Sequence, residues 1–144
     1  MPDLADVRRM LPEEHGLAVV GTVQRDGRVL SSVVNAGVIR NPSNGHESIA
    51  FVSAGSAARL RHVRRGSEVT VTVRRGWRWV GITGAAAIIG PDDPVDDIDV
   101  PGLLRDVFRA AGGTHDDWDE YDRAMRDERR AAVFVEPTRV IGNA

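Results

Sequence analysis

The run Glu68-Val69-Thr70-Val71-Thr72-Val73 alternates polar and apolar side chains without a break. Successive residues of a strand face opposite sides of a sheet, so this pattern demands a half-buried strand. Similar signals crowd around it. Leu17-Ala18-Val19-Val20-Gly21-Thr22-Val23 is a β-rich run, and Asp26-Gly27 after it marks a hairpin, because a primed turn needs positive φ at both central residues. A strand over 29–39 returns from that turn, Asn41-Pro42-Ser43-Asn44-Gly45 forms a loop, and a third strand runs over 48–53. Past Arg75-Gly76, residues 77–89 read as one long strand. Its glycines at 81 and 84 mark a bulge or a close approach by a ligand or a second backbone.

Helical periodicity appears in four places. Leu4, Val7, Met10 and Leu11 define a short helix over 3–15, with Pro12 near its end. An arginine-bearing helix spans 56–65. Leu103, Leu104, Val107, Phe108 and Ala111 share one face of a third, closed by Gly112-Gly113, and Trp118, Tyr121 and Met125 share a face of a fourth. Asp119/Arg123 and Asp122/Arg126 are expected i,i+4 ion pairs on that last helix. A final β run over 131–136 continues through 138–141 past Pro137. The order β-β-β-α-β-β-αα-β does not alternate as βαβ units would. It predicts a mainly β fold, a six-stranded closed antiparallel barrel with flanking helices. The chain reads as one domain over 1–144 with a helical insertion at about 101–130.

Composition removes several function classes. The net charge of −2 argues against a general nucleic-acid binder. That average hides an asymmetry: residues 1–90 carry 12 arginines against 7 acids, and residues 91–144 carry 7 against 14. The absence of cysteine excludes disulfides, zinc–thiolate sites and thiol catalysis. His15, His46, His62 and His115 lack metal-ligand spacing, so no metal site is expected. With neither a signal peptide nor a bilayer-length apolar run, a cytoplasmic protein without membrane contact is expected.

Seven arginines fall between Arg59 and Arg78, against the single acid Glu68. Arginine presents a planar, always-charged fork that meets phosphate oxygens in pairs. Arg59 and Arg61, beside a helix start near Ser56, form a candidate anion site, and a solvated basic helix face is the competing reading. Lysine is wholly absent, which fits a GC-rich coding bias rather than a functional choice. Trp77 and Trp79 stand two apart and share a face if both lie on one strand. They either wall a ring system or pack in an interface. Trp118 and Tyr121 read as core.

Four stretches carry a family resemblance: Arg25-Asp26-Gly27-Arg28; Arg59-Leu60-Arg61-His62-Val63-Arg64-Arg65; Gly76-Trp77-Arg78-Trp79-Val80 leading to Thr83-Gly84; and His115-Asp116-Asp117-Trp118-Asp119-Glu120-Tyr121-Asp122-Arg123-Ala124-Met125, continuing to Glu128-Arg129-Arg130-Ala131. Together they resemble the split-barrel flavin-binding family typified by pyridoxamine 5′-phosphate oxidase. Within it they are most similar to the reductases that use the deazaflavin coenzyme F420. The resemblance implies a homodimeric split β-barrel that passes hydride from reduced F420 to an unsaturated or oxidised small-molecule acceptor. Because the cofactor carries that chemistry, no catalytic residue is named. Ser53, Arg59 and Arg61 are implied as phosphate ligands, Ser32 and Asn35 as residues of the strand facing the ring, and Trp77 or Trp79 as its wall. Arg64 and Arg65 are candidates for the acidic oligoglutamate tail. His62 stands where the family carries Asn, and Ser31-Ser32-Val33-Val34-Asn35-Ala36-Gly37 replaces a segment that often holds Pro and bulky aromatics. Two alternatives accompany this reading: an FMN-dependent oxidase or reductase on the same fold, and a non-catalytic deazaflavin- or haem-binding protein.

Overall fold

β2 (Val29–Arg40) runs for 12 residues because it serves two half-sheets. Residues 29–35 pair antiparallel with β1 (Leu17–Val23), and residues 36–40 pair with β3 (Glu47–Ser53). In the computed structural model, which describes residues 1–144, the remaining strands extend these halves outward. β4 (Val69–Arg75), β5 (Arg78–Gly84) and β8 (Arg139–Gly142) follow β1; β7 (Ala131–Val135) and β6 (Ala86–Ile89) follow β3. The order is β6-β7-β3-β2-β1-β4-β5-β8, antiparallel throughout. The sheet therefore has eight strands rather than six. Its edges, β6 and β8, are not bonded to each other, so the barrel is split and not closed.

Both extra strands arise from one crossing. The expected strand over 77–89 breaks after Gly84, sending β5 into one half and β6 into the other. The last β run divides likewise into β7 and β8, on opposite halves, around Pro137. The two breaks touch: a Cβ at Gly84 would lie 1.8 Å from the Glu136 carbonyl oxygen. Gly84 is thus a place where a second backbone approaches too closely for any side chain.

Side-chain alternation builds two cores. Inward residues of both halves, among them Val20, Ile49, Phe51, Val71, Val80, Ile82 and Val133, are essentially inaccessible and form one cluster. Ala50, Ala132 and Phe134 point the other way and are covered by α3 (Val100–Ala110) and α4 (Trp118–Asp127). α1 (Leu4–Met10) and a 3-10 turn at Leu11–Glu14 replace the single expected helix over 3–15, because Pro12 has no amide hydrogen to continue it. α2 (Ala58–Arg64) plugs an end of the barrel with buried Leu60 and His62. No helix is long and apolar enough to cross a membrane.

Candidate functional site

β3 ends on Ser53, a buried residue whose hydroxyl donates to the Ala54 carbonyl. The chain then turns through Gly55, where a Cβ would fall 2.4 Å from the Arg129 carbonyl oxygen, and enters α2. The cap of α2 is Ala57, without a side-chain cap bond, so neither Ser53 nor the exposed Ser56 caps it. What the turn does fix is Arg59. Its Nη1 donates to Ser53 Oγ at 3.0 Å and its Nη2 to Ser32 Oγ at 2.8 Å, joining β3 to β2. Both acceptors are neutral hydroxyls, and no carboxylate pairs with this guanidinium. Desolvation holds its pKa below the ordinary arginine value, and the nearby charge of Arg130 pushes the same way.

Arg59 stands at a cavity of about 590 Å³ between β2, β3 and the helix pair. Val33 and Asn35 of β2 and Val52 of β3 supply its sheet side; Phe108 of α3 and Tyr121 and Met125 of α4 supply the other. The two rings stack with centroids 5.0 Å apart and planes 15° apart. Tyr121 donates its hydroxyl to the Leu104 carbonyl at 3.0 Å, which fixes the ring; burial pushes its phenol up to about 12. Trp118 meets Tyr121 edge-on at 5.3 Å and carries Arg109 over its own face at 4.4 Å. The expected core role of Tyr121 therefore holds, and the same ring also walls the cavity. The Asn35 side chain makes no hydrogen bond within the chain and stands exposed at the rim of the cavity.

The structure brings Ser32, Asn35, Ser53 and Arg59 together. It separates the other expected site residues from them. Arg61 is exposed without a hydrogen bond or ion pair, since two helical steps turn it about 200° from Arg59. Trp77 lies in the β4–β5 turn, 94 % exposed, beside a different cavity of about 610 Å³ with Arg9 and Arg78. Trp79 is half-buried on the outer face of β5, packed near Gly81. Neither tryptophan lines the cavity of its own chain. Arg64 is already engaged by the carboxylate of Asp93, which raises its pKa, whereas Arg65 is exposed and unpaired. On α4, Asp122 pairs with Arg105 of α3 in place of the expected Arg126, because α3 lies against that face.

His62 is a strut. Its Nδ1 lies 2.8 Å from Thr22 Oγ1, and both residues are buried. Burial lowers its pKa, helped by Arg65 and Arg61. The residues that sequence reasoning missed are Phe108 and Arg130. The i,i+4 spacing of Tyr121 and Met125 was the available clue, because whatever shares their face faces the cavity too.

No family model matches the sequence. Solved structures do share the fold. A conserved hypothetical protein of Mycobacterium tuberculosis superimposes with a TM-score of 0.71 at 17 % identity, over 99 % of this chain and 84 % of that one. A structure described as an F420 reductase gives 0.65 at 14 % identity, over 98 % of each chain. A pyridoxamine 5′-phosphate oxidase-related, FMN-binding protein of Nostoc punctiforme gives 0.62 at 12 % identity, over 95 % and 80 %. The fold is therefore the split β-barrel of pyridoxamine-phosphate-oxidase-like proteins, built here with eight strands.

Proposed function

We propose that this chain is an oxidoreductase that binds coenzyme F420 and delivers hydride to an unsaturated or oxidised organic acceptor. The observation that carries this reading is Arg59: a desolvated guanidinium, aimed by two serines and left without an acid, at the edge of an apolar, ring-walled cavity. A cation so placed lacks its counter-charge, and an anionic flat ligand supplies one while covering the apolar walls. The volume of about 590 Å³ lies in the ordinary range for a cofactor-sized ring system. When bound, the deazaflavin supplies the hydride chemistry.

The chain's own residues hold and orient. Ser53 and Ser32 fix the fork of Arg59 toward phosphate oxygens. Phe108 and Tyr121 fill one side of the slot, and Asn35 offers a donor and an acceptor to a polar ring edge. Arg61, Trp77 and Trp79 enter this reading only through a second copy of the chain. Leu17 and Val19 on β1 and Val29 and Val33 on β2 are 46–65 % exposed on one outer face, which suits a homodimer interface. Val33 belongs both to that face and to the cavity, so a partner seated there borders the ligand.

A second reading, FMN on the same anchor, is favoured by the Arg64–Asp93 pair, which occupies a cation otherwise suited to the acidic tail of F420. A haem ligand has less support, because no histidine lines the cavity. Titrating F420 and FMN side by side against the purified protein separates the readings. Saturable quenching of F420 fluorescence supports the first, tight FMN binding alone supports the second, and binding of neither refutes both.

A further inference from the structure

α4 ends in a Schellman motif. The amide of Arg129 donates to the Arg126 carbonyl at 3.1 Å, and that of Arg130 to the Met125 carbonyl at 2.9 Å. The residue forced into the left-handed region is normally glycine, yet here it is Arg129, with φ 49°. Its side chain explains the exception, because it reaches outward to a two-pronged pairing with Asp92. With Arg129 pinned outward, the next side chain turns inward. Arg130 lines the cavity that holds Arg59, and its only acid partner is the exposed Glu128 two residues back.

Two guanidinium groups thus border one mostly apolar cavity, and no carboxylate stands between them. The charge of Arg130 is felt at Arg59, whose pKa it lowers, and Glu128 offsets Arg130 alone, so an anion between the two would relieve the remaining repulsion. We propose that Arg130 is the second cation of the anion subsite, sharing with Arg59 the phosphoryl group of a ligand whose ring lies against Phe108 and Tyr121. This rests on reading the cavity as a flavin-type cofactor site and adds to it a residue and a ligand requirement. Phosphate is then a recognised group, and a phosphate-free ring is a poor ligand. A monoester (FMN) and a diester (F420) share this chemistry.

The test compares phosphorylated and unphosphorylated members of each ring pair: FMN against riboflavin, and F420 against the deazaflavin that lacks its phosphate arm. Titrations use the full chain and its R130M and R130K variants, with melting temperatures as a check on folding. We expect R130M to weaken FMN or F420 binding by about tenfold, the loss of one charge-assisted contact, and to leave the phosphate-free partner unchanged. R130K should recover part of the difference, since lysine keeps the charge and loses the fork. Equal weakening of both members of a pair, or no change in either, overturns the assignment. If the unmodified protein binds none of the four rings, the cofactor reading itself fails. Inorganic phosphate then decides, read through the arginine Nε–H resonances. Shifts at both Arg59 and Arg130 uphold the shared subsite, and a silent Arg130 refutes it.

Discussion

Replacing Arg59 by methionine separates a binding cation from a structural one. Methionine keeps the apolar stem and removes the guanidinium, with its 3.0 Å and 2.8 Å bonds to Ser53 and Ser32. Each bond to a neutral acceptor contributes about 0.5–1.5 kcal/mol net, and removing a desolvated charge without a counter-ion returns part of that sum. Stability should therefore change by no more than about 1 kcal/mol, or about 2–4 °C in melting temperature for a domain of this size. Binding should respond quite differently. A charge-assisted contact contributes about 1.5–3 kcal/mol, so the dissociation constant for F420 or FMN should rise about 10- to 150-fold. Fluorescence titration and thermal unfolding on the same preparation read both quantities. A variant that melts more than 10 °C lower while the folded fraction keeps its affinity would make Arg59 a strut between β2 and β3, and the anion subsite would fall with it.

Gly84→Ala should be among the most damaging single changes, since its Cβ would meet the Glu136 carbonyl at 1.8 Å; chemical denaturation should show a loss of about 3 kcal/mol or more, and a loss below about 1 kcal/mol would refute the crossing. His62 is held neutral by burial, so its folded pKa lies below that of the unfolded chain. It contributes stability above the unfolded value, and that contribution is lost as pH falls through the folded one. Melting temperature should therefore drop from pH 7.5 to 5.5 more steeply in the parent than in H62N; parallel slopes would show that His62 does not carry the dependence. Val19→Asp places a charge on the outer face of β1, 46 % exposed and off the cavity. Light scattering should show monomers without loss of fold, and a dimer that persists would place the interface elsewhere.

What the sequence revealed, and what it withheld, divides along local and long-range physics. The strand over Glu68–Val73, the Asp26-Gly27 hairpin and the helix pair were legible because each is encoded by a period or a turn within a few residues. The break at Gly84 was legible only as a warning, because its cause is a carbonyl 52 residues away, at Glu136. Ser53 and Arg59 were reachable through a motif. That Arg59 turns inward while Arg61 turns outward follows from where α2 docks, which no local pattern states. Which aromatics line the cavity within one chain was hidden for the same reason. Trp77 and Trp79 are the more conspicuous residues, but the cavity lies on the α3–α4 side of the sheet, and Phe108 and Tyr121 reach it.

One departure from ordinary local rules stands at the cavity: Arg59, which lines it, is a desolvated cation without an acid. The left-handed non-glycine residues His15, Asp97 and Arg129 do not line it, and Asn35 at its rim is open to solvent. A desolvated cation without a counter-charge costs free energy in the isolated chain. No buried side-chain nitrogen or oxygen lacks a hydrogen-bond partner, and His62 finds Thr22. On the proposed reading, an anion at Arg59 would supply the counter-charge that the chain itself does not. The proposed ligand would set an anionic end at Arg59 and Arg130 and a flat apolar body against Phe108 and Tyr121.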